Sequence, residues 1–174
     1  MIKLDLLRVR RIDCVVSTDD IIPGRYKHMF TDTAELAKHV FENIFPGMAA
    51  TFRDGDVIVS TTIFGIGSSR EQAVSSLLAA GVRAVIAPSF GRIFFRNAWN
   101  LGLIAIEAPS VPADEGDSIV IDLEAGEISG PMRPVHFAPP PARMLDMVNE
   151  GGLLPLVAKR LANQHTLKHG GCQQ

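Results

Sequence analysis

The chain has 174 residues, of which 47% are hydrophobic and 21% charged, and its net charge is −2. This composition is typical of one globular domain and excludes a disordered chain. The charge balance lacks the basic excess of a nucleic-acid-binding protein. No apolar run reaches the roughly 18 residues of a membrane helix, and the first dozen residues are too charged for a signal peptide. We therefore expect a cytoplasmic protein whose partners include neither nucleic acid nor membrane.

The cysteines and histidines argue against a metal bound by this chain alone. Its two cysteines, Cys14 and Cys172, are too few for a disulfide framework, a four-ligand zinc site or an iron–sulfur cluster. Among the five histidines, His165 and His169 are four residues apart, but both lie in a polar tail. We expect no metal site.

In chain order, the first part of the sequence predicts a strand, a loop and a helix. The strand covers residues 3–16, and short polar residues with a Pro-Gly pair predict a loop over 17–24. An apolar stripe at helical spacing predicts a helix over 32–45, with Asp32 or Thr33 as its N-cap.

The middle of the chain predicts a βαβ unit. Residues 57–59 and 84–87 are short apolar runs, as expected for buried parallel strands. A glycine-rich loop and a helix over 72–80 lie between them, and Gly81 is expected to end that helix.

The remaining elements follow the same alternation of apolar runs and turns. They are a helix over 89–99 with Ser89 as a possible cap, a strand over 103–106, a hairpin with a strand over 118–122 and a turn near 125–127, and helices over 142–149 and 153–161. We expect residues 1–161 to form one domain and the polar residues 162–174 to form a flexible tail.

The segment Phe64-Gly65-Ile66-Gly67-Ser68-Ser69-Arg70-Glu71 joins the first strand of the βαβ unit to its helix. The glycines allow a tight turn and a close approach of the backbone to a ligand. The helix N-terminus offers unpaired N–H groups to an anion, and Arg70 can bind a carboxylate through two hydrogen bonds. With the hydroxyls of Ser68 and Ser69, the segment predicts a carboxylate-binding cradle.

The glycine loop is open to other interpretations. A tight turn with serine capping is the commoner meaning of a glycine–serine pair. A dinucleotide-binding loop needs a third glycine where this chain has Arg70, and a phosphate-binding loop needs a Lys-Ser/Thr ending that is absent. An exposed Arg-Glu pair at a helix start is also common on plain protein surfaces.

The glycine loop resembles the Phe-Gly-x-Gly-Ser-Ser-Arg-Glu signature of the mobile domain of the aconitase superfamily. Residues 18–26, Thr-Asp-Asp-Ile-Ile-Pro-Gly-Arg-Tyr, and residues 84–97, which include Ser-Phe-Gly-Arg-Ile-Phe, resemble two further segments of that family in the same order. The three segments span roughly residues 14–107. The resemblance is greatest to stand-alone small subunits, such as those of isopropylmalate isomerase and homoaconitase.

The resemblance implies a swivelling α/β domain of the β/β/α type, with a barrel-like core of mixed strands flanked by helices. It also implies a large partner subunit that carries a 4Fe–4S cluster, so that this chain itself binds no cofactor. The expected reaction is the reversible loss and addition of water on a small di- or tricarboxylate. An isolated small subunit could also form a homo-oligomer.

The resemblance also assigns roles to individual residues. Ser68 corresponds to the family's catalytic base, which removes a proton from carbon as an alkoxide. Ser69, Arg70 and Gly67 correspond to substrate-binding positions, and Arg25 lies in a region from which family members direct an arginine to a carboxylate. A free serine is too weak a base at neutral pH, so the helix N-terminus and Arg70 are expected to assist it.

The sequence departs from the family at single positions and in one loop. Ile63 stands where the family usually has Asn, Gln72 where it has His, and Gly91 where it has Ala. The loop from Arg25 to Thr31, which reads the variable group of the substrate, departs most.

In that loop, the specificity residues are expected to be Tyr26, Lys27, His28 and Met29. A cationic loop suits a second carboxylate or a small methylated diacid better than an isopropyl group. The alternative is that Lys27 and His28 point into water.

Three functional hypotheses follow. The first is the small subunit of an iron–sulfur hydro-lyase of the 3-isopropylmalate dehydratase type. The second is the small subunit of a maleate-, citraconate- or dimethylmalate-type hydratase. The third is a non-catalytic carboxylate-binding module, against which the intact Ser68 and Ser69 argue.

Overall fold

The computed structural model describes residues 2–109 and 111–169, without the side chains of Lys27, His28 and residues 164–169. The predicted tail is therefore described only as far as His169, and Cys172 lies outside the described residues. No helix in the described part of the chain is long and apolar enough to span a membrane.

The described residues form a mixed α/β fold. The strands are β1 (Lys3–Ile12), β2 (Val16–Ser17), β3 (Asp56–Ser60), β4 (Phe64–Ile66), β5 (Val82–Ala87), β6 (Ile104–Glu107), β7 (Ser118–Asp122), β8 (Glu127–Ser129) and β9 (Val135–His136). The α-helices are α1 (Thr18–Ile21), α2 (Thr33–Ala37), α3 (Glu71–Ala79), α4 (Arg92–Leu101), α5 (Ala142–Asn149) and α6 (Leu153–His169). Short 3₁₀ turns cover Gly24–His28 and Met48–Thr51.

The main sheet has seven strands in the order β6-β5-β3-β1-β7-β8-β9. The pairs from β6 to β1 are parallel, and those from β1 to β9 are antiparallel. The sheet curls into a half-barrel flanked by helices, which confirms the predicted α/β class with a barrel-like core of mixed strands. The βαβ unit is also confirmed, since β3 and β5 pair in parallel on either side of α3.

The core is densest along the parallel strands. Every residue of β3 is buried, which explains its uninterrupted apolar run. The first residue of that strand, Asp56, is a buried carboxylate that accepts two hydrogen bonds of 2.7 Å from Arg8. Because buried charges need partners, this pair fixes the start of β3 against β1.

A second, two-stranded sheet places the glycine loop. β2 pairs with β4 in parallel, with Val16 opposite Phe64. The other edge of β4 is held by backbone bonds, since the N–H of Phe64 donates to Ser89 O at 3.0 Å and that of Gly91 donates to Phe64 O at 2.9 Å. The ring of Phe64 packs edge-on against that of Phe94, 5.3 Å away. The strand leading into the loop is thus fixed on both edges and from below.

Three predicted elements before residue 45 differ from the structure. The strand predicted over 3–16 ends at Ile12, and Val16 belongs to β2 in the second sheet. The predicted loop over 17–24 contains α1, which begins with a capping box between Ser17 and Asp20. The predicted helix over 32–45 begins at its expected N-cap, Asp32, but ends at Ala37. Residues 38–40 form tight turns instead. Phe41 has a φ of +60°, which a continuing helix would not allow; its ring is fully buried and its N–H donates to Ile21 O.

The later elements agree more closely with the prediction, with three differences. Ser89 does not cap α4, since its carbonyl pairs with β4 and Gly91 is the N-cap. α6 continues eight residues beyond the predicted end at 161, to His169, since residues 162–169 include neither glycine nor proline. The short strand β9 was not predicted.

Candidate active site

The glycine loop turns sharply between β4 and α3. Gly65 and Gly67 have φ values of +74° and +100°, which only glycine adopts without strain. A Cβ at Gly65 would lie 2.3 Å from Cγ of Phe94, and one at Gly91 would lie 2.1 Å from the carbonyl oxygen of Gly65. The core therefore approaches the loop too closely for a side chain. The departure at Gly91 lets α4 begin directly beneath the loop.

The two serines of the loop expose their side chains on a fixed backbone. The buried Thr18 donates its Oγ1 hydrogen bond to Ser68 O at 3.1 Å, and the N–H of Arg70 donates to the same carbonyl at 2.9 Å. Ser68 and Ser69 are exposed, and within the described residues their hydroxyls form no hydrogen bond. They are therefore available to a ligand.

Arg70 is the N-cap of α3 and is held by α1. Its Nη1 donates to Asp19 Oδ1 and, at 3.1 Å, to the carbonyl of Ile22. The side chain of Arg70 is only 15% exposed, and a Cβ at Gly24 would lie 3.4 Å from its Nη2. These contacts hold the guanidinium against α1, while Nη2 forms no hydrogen bond within the described residues.

Thr18 and Asp19 are site residues that sequence reasoning did not assign. Both lie in the segment that carries the family resemblance, and both belong to α1, which was predicted as a loop. A capping box at Ser17 and Asp20 was the signal that could have placed their side chains. The carboxylate of Asp19 supplies the partner that the Arg70 charge needs when no substrate is bound.

The predicted specificity loop is held by a carboxylate outside it. Glu42 Oε1 accepts hydrogen bonds from Arg25 Nη2 at 3.1 Å and from Tyr26 Oη at 3.0 Å, and Glu42 Oε2 accepts one from His39 Nδ1 at 2.6 Å. The rings of Tyr26 and His39 stack with centroids 3.9 Å apart. Arg25 also donates to Asn43, so its guanidinium contacts this cluster.

The electrostatics of the cluster keep Glu42 charged. The hydrogen bond from His39 is the main reason that the pKa of Glu42 lies below its usual value, and the Tyr26 hydroxyl adds to it. The charged carboxylate can therefore bind Arg25 and orient Tyr26 at neutral pH. Nothing in the sequence spacing indicated this role for Glu42.

Three further residues of the loop, Lys27, His28 and Met29, were also predicted to determine specificity. Met29 is 65% exposed and lies just after the turn Gly24–His28. The side chains of Lys27 and His28 lie outside the described residues. The substrate roles of all these residues, and of Arg25, stay predictions.

A polar cleft joins the end of this loop to the first turns of α3. Its volume is about 410 Å³, and its walls are Phe30, Thr31, Thr33 and Leu36 on one side and Glu71, Gln72 and Ser75 on the other. Two departures from the family pattern, the loop and Gln72, thus line one cleft next to Ser69 and Arg70.

The described residues contain no group of three or more His, Cys, Asp or Glu side chains that could hold a metal ion. Cys14 is half-buried, and burial raises the pKa of its thiol. No described basic side chain hydrogen-bonds to the Ser68 hydroxyl.

The described chain is therefore a mixed α/β domain whose glycine loop exposes two serines at the start of a helix. The profile of the aconitase C-terminal domain family matches residues 24–111. The chain belongs to this family, which confirms the resemblance drawn from the sequence.

Similar proteins align with most of this chain in sequence or in structure. The 3-isopropylmalate dehydratase small subunit 2 of Archaeoglobus fulgidus is 46% identical over 83% of this chain and 88% of its own length. The methanogen homoaconitase small subunit of Methanothermobacter thermautotrophicus is 48% identical over 84% and 86%. The crystal structure of 3-isopropylmalate dehydratase from Methanocaldococcus jannaschii superposes with a TM-score of 0.86 at 37% identity, covering 95% of this chain and 99% of that one.

Proposed function

We propose that this chain is the small subunit of a two-subunit hydro-lyase that dehydrates and rehydrates a small hydroxy-dicarboxylate, in the manner of 3-isopropylmalate dehydratase. The observation that carries the proposal is that Ser68 exposes its hydroxyl on a backbone held by Thr18, two residues before an Arg70 whose guanidinium is oriented by α1. The relatives named as small subunits of such enzymes support it.

Ser68 is the proposed base. In dehydration its Oγ takes a proton from the carbon next to the one that loses hydroxide, and in hydration it returns that proton. An alkoxide at Oγ is unfavourable in water. The Arg70 charge and the unpaired N–H groups at the start of α3 offset part of this cost, because they are fixed before substrate arrives.

Ser69 and Arg70 are proposed to hold a substrate carboxylate. Nη2 of Arg70 points to the side of Gly24 and is not used by Asp19, so it can donate to a carboxylate oxygen while Nη1 keeps its protein contacts. The backbone at Gly67 has no side chain to obstruct the approach. This fixes the distance between the carboxylate and Ser68, which is how positioning accelerates proton transfer.

The iron–sulfur cluster of this proposal belongs to the partner. Such clusters are bound by several cysteine thiolates, and the described residues offer Cys14 alone. The donor set of this chain does not fit the group, so we assign the cluster to the large subunit. When bound there, it would supply the Lewis acid that the departing hydroxyl needs.

A tricarboxylate of the homoaconitate type is the second candidate substrate. The relative named as a homoaconitase small subunit, at 48% identity, favours this candidate. The cleft at the start of α3 is lined by the hydroxyl and amide groups of Thr31, Thr33, Gln72 and Ser75, which can donate hydrogen bonds to a polar substituent, and also by the carboxylate of Glu71. The hydratase reactions on maleate, citraconate or dimethylmalate remain alternatives within the same reaction class.

The test is an anaerobic titration of this chain into the cluster-bearing large subunit encoded in the same genome. We expect turnover of 3-isopropylmalate or homoaconitate that saturates at a one-to-one ratio, and none from either chain alone. Activity of this chain without a partner would contradict the two-subunit proposal. A saturating pair that turns over no hydroxy-dicarboxylate would contradict the reaction.

A further inference from the structure

We propose that the exposed face formed by Arg92, Ile93 and Arg96 of α4 is a docking surface for an acidic segment of the large subunit. This inference rests on the proposed function and adds to it the place and the chemistry of the contact. The face is defined by these three residues and is called the α4 face below.

The α4 face shares a concavity with the glycine loop. The residues lining it are Gly65, Ile66, Gly67, Gly91, Arg92, Ile93 and Arg96, and its volume is about 490 Å³. Arg92 and Arg96 are one helical turn apart, so both guanidinium groups extend from the same side of α4. The floor of the concavity is glycine backbone, which leaves room for a partner to approach.

No described carboxylate matches the charges of the two arginines. Most arginines here pair with a carboxylate, such as Arg8 with Asp56, Arg11 with Asp13 and Arg83 with Asp54. Arg92 and Arg96 are exposed and form no ion pair with any residue that the structure describes. Two adjacent cations of this kind favour a partner that supplies carboxylates.

Exposed aliphatic side chains lie beside the charges. Ile93, between the two arginines in sequence, is 46% exposed. Ile66 is partly exposed and lines the same concavity as the two arginines. Arginine with exposed aliphatic groups around a concavity is the composition of an interface centre.

The reaction itself requires the partner to reach this place. If Ser68 takes a proton from a substrate whose hydroxyl is bound on the large subunit, the two surfaces must approach within the length of a small diacid. The rim of the glycine loop is then covered in the assembled enzyme, and the α4 face forms part of that rim. The helix beneath it cannot yield, because Phe94 and Gly91 are packed against Gly65. The surface is therefore preformed.

The experiment measures association of the chain with the large subunit in the absence of substrate. The double variant Arg92→Glu/Arg96→Glu is expected to raise the Kd of the pair at least about tenfold at low ionic strength, and the difference should shrink as salt rises. The concentration of large subunit that gives half-maximal turnover should rise in parallel. Glutamate near the start of a helix is compatible with its dipole, so the variant should fold.

The matched control is Arg133→Glu/Arg143→Glu. It makes the same change in net charge at two other exposed arginines that form no described ion pair, outside the α4 face. The control should bind like the wild type. A second variant, Arg92→Lys/Arg96→Lys, keeps the charge and should retain most of the affinity.

The possible failures are distinguishable. An unchanged Kd for the glutamate variant, or an equal rise for the control, would overturn the docking assignment while leaving the proposed reaction intact. A normal Kd with low turnover at saturating large subunit would show that the arginines act on substrate instead, and would also overturn it. A wild-type pair that binds tightly but turns over no substrate would contradict the reaction and leave the docking surface standing.

Discussion

The glycine loop and the segment Gly24–Phe30 border the same guanidinium group, that of Arg70, but different forces hold them. The glycine loop is fixed by backbone hydrogen bonds and by core packing, with Phe94 and Gly91 so close that a single methyl group cannot be added. The segment Gly24–Phe30 is fixed by side chains at the surface, which converge on the one carboxylate of Glu42.

This difference suits the two tasks proposed for the regions. A base and a carboxylate-binding arginine must stay where the chemistry needs them, and a backbone locked in the core achieves that. A loop that reads the variable part of a substrate can change by surface substitutions that leave the core untouched. Consistent with this, the departures from the family pattern are larger in the loop than in Ser68-Ser69-Arg70.

The largest effect is expected from adding a methyl group in the glycine loop, which tests whether core packing fixes this region. Gly65→Ala should destabilise the fold by about 3 kcal/mol, because it combines a positive φ with a clash against Phe94. Gly67→Ala is the matched control: it has a positive φ, but its nearest neighbour, Thr18 Oγ1, is 3.4 Å away. It should lose about 1 kcal/mol. Equal losses in urea unfolding would contradict the role assigned to packing.

A smaller effect is expected from the link between the two regions. Asp19→Asn removes the charge that orients Arg70 and should raise KM about tenfold, with a smaller change in kcat, because a charge-assisted hydrogen bond is weakened. Asp54→Asn, which removes the carboxylate paired with the exposed Arg83, is the control and should change neither constant. A fall in kcat alone would argue that Asp19 takes part in the chemistry.

Substitution of Glu42 should affect only the segment Gly24–Phe30 and leave the glycine loop unchanged, because Glu42 contacts Arg25 and Tyr26. Glu42→Gln should change the ratio of kcat/KM between 3-isopropylmalate and homoaconitate by about threefold to tenfold, while the urea midpoint of unfolding stays close to that of the wild type. The control is Glu35→Gln, which breaks the ion pair between Glu35 of α2 and Lys38 at the end of the same helix. It should leave the ratio of kcat/KM unchanged. An unchanged ratio for Glu42→Gln would mean that the loop does not read the substrate.

The smallest expected effect is on pH dependence. The pKa of Glu42 is lowered in the folded state, so the unfolded chain binds more protons as pH falls below the usual value of 4.5. The stability that this group contributes is present above that pH and is lost as pH falls through the folded pKa. Urea unfolding at pH 6 and pH 3.5 should show a slightly smaller acid loss for Glu42→Gln than for the wild type, and an equal loss would contradict the assignment.

The sequence predicted the parts of the fold that depend on local signals. The buried run at Val57–Val59, the stop at Gly81 and the turn near Gly126 each carry their own physical cause, and the structure confirms the strands, helix and hairpin they predict. The helix over 32–45 was overestimated because the burial of Phe41 is a tertiary effect that outweighs helical periodicity.

Only the residues of the candidate site that are adjacent in the sequence could be predicted from it. Ser68, Ser69 and Arg70 stand together in the sequence, so their proximity needed no fold. Asp19 and Arg70 pair although they are 51 residues apart in the sequence, and Glu42 and Tyr26 pair although they are 16 residues apart. Such contacts depend on the register of distant elements, which spacing along the chain does not reveal.

The central claim is that Ser68 is the base in a half-site completed by a large subunit. The most direct measurement compares Ser68→Ala with the wild type in the anaerobic pair, with Kd for the large subunit and kcat determined separately. We predict a fall in kcat of about 10³-fold with an unchanged Kd. The substitution removes the general base but leaves the surface that contacts the large subunit intact. A kcat within threefold of the wild type at saturating partner and substrate would contradict the account.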